Sequence, residues 1–166
     1  MAIISFKKQS AYFEKLQKLE SEVTKGAVIE RAVADGAGVV ADKIRQSLDG
    51  LPSEPFRHLK KGEQFGVLSE SEKKDLSEGF GLAPIMRDKN GFVHTKAGFD
   101  GYGSHPTRSY PQGVPNQLVA ASVESGSSVR EKRPFVRPAV NASRKEAIEA
   151  MEKSIDDDMK KIFEGG

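Results

Sequence analysis

The chain contains no cysteine, and only three of its 166 residues are histidine. Without cysteine there is no disulfide framework, no thiolate zinc site and no thiol nucleophile. An excess of charge of one sign is also missing. Lys and Arg number 26 against 24 Asp and Glu, a net charge of +2, so the overall balance does not mark a dedicated nucleic-acid binder and any basic surface must be local. No apolar run approaches the roughly 18 residues of a membrane span, and MAIISFKKQSAYF at the start is too short in apolar residues for the core of a signal peptide. The expectation is a chain made and kept in the cytosol unless it leaves by lysis. Internal repeats and low-complexity tracts are absent too. At 37% hydrophobic and 30% charged residues, this length suits one domain with a lean core.

The spacings that signal chemistry are likewise lacking. His58, His94 and His105, with Asp75 and Asp100 between them, show no short metal-ligand pair such as H-x-x-x-H and read as scattered loop and strand residues. GFDGYG, from Gly98 to Gly103, fits neither G-x-G-x-x-G nor G-x-x-x-x-G-K-S/T and reads as a turn. ESGSS, from Glu124 to Ser128, is not a G-x-S-x-G nucleophile elbow and has no identifiable histidine partner. No catalytic residue, metal site or cofactor is expected, and the chain is read as a structural or assembly protein rather than an enzyme.

What is present is helical periodicity at both ends of the chain. Tyr12, Leu16, Leu19 and Val23, and then Ile29, Val33, Ala37, Val40, Ile44, Leu48 and Leu51, predict a long helical region over 10–50, as one helix or as two joined near Thr24 to Gly26. Gly26, Gly36 and Gly38 disfavour helix, so their small size predicts the close approach of another element. Pro52 and Pro55 end the region. At the other end Ile148, Met151, Ile155, Met159 and Ile162 predict one apolar stripe on a C-terminal helix over 138–163, with Pro138 in its first turn. Phe135 and that stripe are expected to pack on the N-terminal helix as the main core.

Between them, 53–115 is rich in glycine and proline and mostly irregular. Ser69 and Glu72 stand at capping-box spacing before Leu76, with Gly79 at a C-cap position, which predicts a short helix. Asn90-Gly91 between two extended runs predicts a β-hairpin over about 82–99. Pro115 and Gly126 bracket a further short helix over 116–126. The fold class is therefore α+β: two long helices packed with a small antiparallel hairpin and a loop-rich centre, in a single domain over 1–166.

One local charge asymmetry remains. Arg130, Lys132, Arg133 and Arg137, continued by Arg144 and Lys145, form a basic cluster that reads either as a solvated loop leading into a helix or as a contact surface for phosphate or an acidic neighbour. Phe135, between Pro134 and Val136, reads as a core plug that fixes this loop. Arg133 and Arg137 flank it at two residues on either side. We expect at least one of them to pair with a carboxylate, either Glu124 of the same chain or an acidic residue of a next subunit.

The stretch VAASVESGSSVREKRPFVRPAVNASRKEAIEAMEKSIDDDMKKI resembles the tail-completion (neck, minor tail) proteins of long-tailed bacteriophages and prophage-derived tail particles. In that family a short helix ends in a Val-Glu-x-Gly-Thr/Ser pattern, matched by Val123, Glu124, Gly126 and Ser127. An Arg-Pro-Phe-x-Arg-Pro-Ala pattern follows, matched by Arg133, Pro134, Phe135, Arg137, Pro138 and Ala139, before a long terminal helix. The central segment is longer than in the shorter members and lacks their Thr-Gly-x-Leu step.

The resemblance implies a virion protein, synthesised in the host cytoplasm, that sits where tail meets head. Such a protein assembles as a homo-oligomeric ring, six-fold by the resemblance, and helps join the completed tail to the capsid connector. Its partners are tail-terminator or tail-tube proteins and head connector proteins; genomic DNA is only passing cargo, and no membrane is involved. Glu124, Arg133, Phe135, Arg137 and Pro138 are then the interface and anchor residues, and Arg130, Lys132, Arg144 and Lys145 are candidates to meet channel DNA or an acidic partner. The alternative is a non-specific nucleic-acid-contacting module that uses the same Arg130–Lys145 cluster on phosphate.

Overall fold

The computed structural model describes residue 21 and residues 26–164. Tyr12, Leu16, Leu19 and Val23, at the front of the first predicted helical region, lie outside the described residues. In chain order the elements are α1 (Ala27–Asp49), β1 (Ser53–Glu54), β2 (Leu68–Ser69), α2 (Glu70–Gly79), β3 (Phe80–Leu82), β4 (Met86–Arg87), β5 (Val93–His94), β6 (Ala97–Phe99), α3 (Asn116–Ser125) and α4 (Val136–Glu164). This is the α+β class expected, with the two long helices at the ends of the described chain.

Helix α1 starts at Gly26, whose left-handed φ of 74° breaks the helical path. It lies antiparallel to α4: Arg31 near its start bonds Asp158 near the end of α4 at 2.5 Å, and at its other end Leu48 shares a core with Phe135 and Ala139. The buried faces match the predicted stripes only in part: Ile44, Leu48 and Ile162 are buried as expected, and the others are not. Helix α1 buries Val28, Ala32, Gly36, Ala41, Ile44 and Leu48, while Ile29 is 41% exposed. Helix α4 buries Ala139, Ser143, Ala147, Asp158 and Ile162, while Ile148 is 50% exposed. Met151, Ile155 and Met159 are half-buried at the margin.

The cause is close approach. A Cβ built on Gly36 would stand 2.5 Å from Met151 Cγ and 3.1 Å from the Ala147 carbonyl oxygen, so at Gly36 the Met151 side chain and the backbone of α4 both press against α1, along a seam whose buried residues are mostly small. Gly36 meets the expectation of a close approach; Gly38, with nothing within 4 Å of its Cβ position among the described residues, does not.

The large-residue core lies at one end of this helix pair. Ile44, Leu48, Leu68, Leu76, Phe80, Val119, Val123 and Phe135 pack together there. Both long helices have an end in this region, and each is capped from a distant element. Lys73 of α2 donates to the carbonyls of Asp49 (2.7 Å) and Leu51 (2.8 Å) as α1 finishes, which satisfies orphan acceptors that α1, with no basic residue in its last turn, leaves open.

Helix α2 carries the predicted capping box: Ser69 Oγ accepts from Glu72 N at 3.1 Å and Ser69 N donates to the Glu72 carboxylate at 2.9 Å. Gly79 is the last residue of α2 rather than its C-cap. It is small because the Asp100 carbonyl passes 2.3 Å from where its Cβ would be.

The hairpin runs from Phe80 to Phe99, paired as Phe80↔Phe99 to Leu82↔Ala97 at its base and as Met86↔His94 and Arg87↔Val93 near its tip. At the turn the Asp88 carboxylate accepts from Asn90 N (2.8 Å) and Phe92 N (2.9 Å), and Gly91 takes φ 84°. One pairing was not foreseen. β1 and β2 are parallel, Ser53 opposite Leu68, and they close the loop of residues 55–67 into a compact excursion of the kind that carries its own packing.

Candidate functional site

The basic loop between α3 and α4 is built from the end of α3. Gly126, at φ 79°, turns the chain out of the helix, and Arg133 N returns to the Val123 carbonyl at 2.7 Å. Residues 127–130 close on themselves through Ser127 N to Arg130 O at 2.9 Å. They are stitched to the 55–67 loop by Phe65 N to Val129 O and Glu131 N to Phe65 O, each 2.9 Å. Predicted as exposed, the loop is a braced structure with a defined inner and outer side.

Glu124 is the hinge of the arrangement. Its carboxylate accepts three backbone N–H groups, from Phe135 (2.8 Å), Val136 (2.9 Å) and Arg137 (3.0 Å). Helix α4 has no Ser, Thr, Asp or Asn at its start, so the orphan donors of its first turn are met by a carboxylate one helix away. A negative charge at a helix N-terminus is favoured by the dipole as well. Burial pushes the Glu124 carboxyl up, but the three N–H bonds and the nearby Arg137 charge together outweigh it and hold the group below its ordinary value.

Phe135 is fully buried. Its ring meets Phe99 at 5.9 Å, and Phe99 in turn meets Phe80 at 5.0 Å, so the residue ties the start of α4 to the base of the hairpin. Pro138 stands in the first turn of α4, where the lost N–H costs nothing.

The cations of the cluster separate into two kinds. Arg130 is not a contact residue: it is 6% exposed, bonds Glu72 at 2.6 Å and the Val67 carbonyl at 3.1 Å, and stands over the Phe65 ring at 5.1 Å. Its burial leaves no guanidinium free for DNA or a partner, which corrects the sequence expectation. Lys132, Arg133, Arg137, Arg144 and Lys145 are exposed.

The expected pairing of Arg133 or Arg137 with Glu124 is not made, because that carboxylate is taken by backbone donors. Arg133 Nε donates to the Gly66 carbonyl, and its nearest carboxylate is Glu131 at 4.0 Å, on the surface. Lys145 lies 3.7 Å from Glu149. The signal for the remote cap was in the sequence as an absence: a long helix opening Phe-Val-Arg-Pro has no local cap, so one must come from elsewhere.

The histidines were only partly separate. His105 and His58 both contact Phe56, and His105 Nε2 is 2.5 Å from the Ser71 hydroxyl, whereas His94 sits in the hairpin. Among the described residues no cluster of three His, Cys, Asp or Glu side chains has the arrangement of a metal site, and no helix is long and apolar enough to cross a membrane. Comparison of the chain with protein-family models, with curated proteins and with solved structures gives no match.

Proposed function

We propose that the chain is a non-catalytic virion protein of the head–tail junction, a ring-forming subunit that completes the tail and helps join it to the capsid connector. The observation that carries this reading is the Glu124 cap. The two motifs behind the resemblance, Val-Glu-x-Gly-Ser and Arg-Pro-Phe-x-Arg-Pro-Ala, are nine residues apart in sequence from Glu124 to Arg133, and in space the glutamate of the first holds the backbone of the second. A motif pair that forms one structural joint supports a shared fold more strongly than either motif alone.

That joint fixes the direction in which α4 leaves the core and presents Lys132, Arg133 and Arg137 outward. A ring is made of heterologous contacts, and a rigid loop with exposed cations suits one side of such a contact. The burial of Arg130 removes a member of the cluster on which a nucleic-acid-contacting module would rely.

The test is made in the producing strain. Deletion of the chain should leave heads and tails unjoined, and Arg133→Glu with Arg137→Glu should give the same phenotype from a subunit with normal circular dichroism and melting. Joined particles without the chain would overturn the reading. Joined particles from the folded double variant would remove the arginines from the interface.

A further inference from the structure

A second surface, on a different side of α3 from the Glu124 joint, has the form of a docking groove. It has a volume of 630 Å³ and lies between the 55–65 loop, the 103–114 loop, the outer face of α3 and residues 127–130. Phe56 (41%), Tyr110 (39%), Leu118 (47%) and Val129 (51%) line it and remain exposed. Singly exposed apolar residues need no explanation, but four converging on one concavity do.

The walls are fixed in advance. Phe56 stacks on His105 with centroids 3.6 Å apart and planes at 14°, and the His58 ring meets it edge-on at 5.1 Å. Arg57 holds Glu54 at 3.2 Å and Glu63 at 3.0 Å, and Thr107 and Tyr110 exchange backbone bonds of 3.0 and 3.1 Å across their turn. A rigid groove does not lose loop entropy when it binds.

Its electrostatics select the occupant. Glu72 on the floor is neutralised by Arg130. Lys60, Lys61 and Arg108 in the two bounding loops are exposed, and residues 101–115 contain no acidic side chain. On the 55–65 side Arg57 is shared by Glu54 and Glu63, which leaves one carboxylate in excess, but Lys60, Lys61 and Arg108 outnumber it, so the net charge around the groove is positive. Phe56 already has a ring partner on its face and another at its side, and the Phe65 ring carries the guanidinium groups of Arg57 and Arg130, so of the aromatic lining Tyr110 is left beside the aliphatic Val114, Leu118 and Val129, a socket for a side chain more than a platform for a run of stacked bases. A second copy is a poor occupant: among the described residues its most exposed large apolar side chain, Phe92 at 69%, lies in a stretch where Arg87, Lys89 and Lys96 outnumber Asp88, the same sign as the groove rim.

We propose that this groove docks an acidic segment of a partner protein that inserts one bulky apolar side chain. The proposal stands independently of the head–tail reading. The probe is a short fluorescein-labelled peptide with a Leu-Phe pair flanked by Asp and Glu, followed by fluorescence anisotropy on the full chain. It should bind, and more weakly as salt is raised. Replacing its acids by Asn and Gln should weaken it at least about tenfold, as should Leu118→Asp or the surface triple change Lys60→Glu, Lys61→Glu and Arg108→Glu.

The triple change touches only exposed side chains, so it remains informative if Leu118→Asp does not fold. Absence of binding, or binding indifferent to both variants, overturns the proposal. So does displacement of the peptide by oligothymidylate at lower concentration, or self-association of the wild-type chain in sedimentation that Leu118→Asp abolishes.

Discussion

The two ends of the α1–α4 pair are held together in different ways. At one end Phe135, Leu48, Leu76 and Phe80 fill a core with large side chains. Along the rest of the pair, short of Val28 and Ile162 at the far end, the buried residues are mostly small, Ala32, Gly36, Ser143 and Ala147 among them, and at Gly36 the Met151 side chain and the Ala147 carbonyl press against α1. The first region is stabilised by apolar area removed from water, the second by contact that only small residues allow. They should respond to opposite insults: the core to a loss of volume, the seam to a gain.

The largest effect is expected in the core. Phe135→Ala leaves a cavity under the start of α4 and should cost about 3–5 kcal/mol in chemical denaturation. A cost below about 1 kcal/mol would mean that the ring is not the plug that its complete burial indicates. The seam should show the converse. Gly36→Leu forces a side chain into space occupied by Met151 and the Ala147 carbonyl and should cost about 1–3 kcal/mol through overpacking. If the leucine is tolerated, the helices are not held at the observed separation.

This contrast also explains what could be read from the sequence. The capping box at Ser69, the Asn90-Gly91 turn, the Pro115-to-Gly126 helix and the span of α4 all rest on signals within a few residues, and all are found. The buried stripes of α1 and α4 are legible only in part, at Ile44, Leu48 and Ile162, because each helix carries two candidate stripes elsewhere. Weighting by size chose Ile29 and Ile148, whereas the partner backbone chose Gly36 and Ala147. Arg130 was read as surface because its partners, Glu72 and Val67, are about 60 residues away in sequence. The parallel β1–β2 pair is of the same kind, and so is the choice of Glu124 as the cap, since the missing local cap of α4 signals that a partner is needed but not which residue supplies it.

Glu124 joins the two regions, since it fixes how α4 leaves the core before entering the seam. Glu124→Gln keeps the shape but removes the charge from three N–H bonds and should cost about 1–2 kcal/mol at neutral pH. The folded carboxyl is held below its ordinary value, which is about 4.3 when the chain is unfolded. Its contribution is therefore complete above that ordinary value and is lost as the pH falls through the lowered folded one. The gap between wild type and variant should close over that acidic window in pH-dependent melts. A constant gap would assign the loss to geometry rather than charge.

The smallest effect gives the sharpest test of the seam, because it compares two glycines on one helix. Gly38 lies two residues beyond Gly36 and has nothing within 4 Å of its Cβ position among the described residues, so a methyl group there meets none of them. Alanine is favoured over glycine inside a helix by about 1 kcal/mol, largely because the unfolded chain loses freedom. Gly38→Ala should therefore raise the stability of the isolated chain by about 0.5–1 kcal/mol, seen as a higher denaturation midpoint at unchanged slope. Size tolerance would then divide along the helix face, with Gly36 intolerant and Gly38 permissive. A loss of stability at Gly38 would show that a second close contact covers this face of α1 and that the seam is wider than the Gly36–Ala147 approach defines.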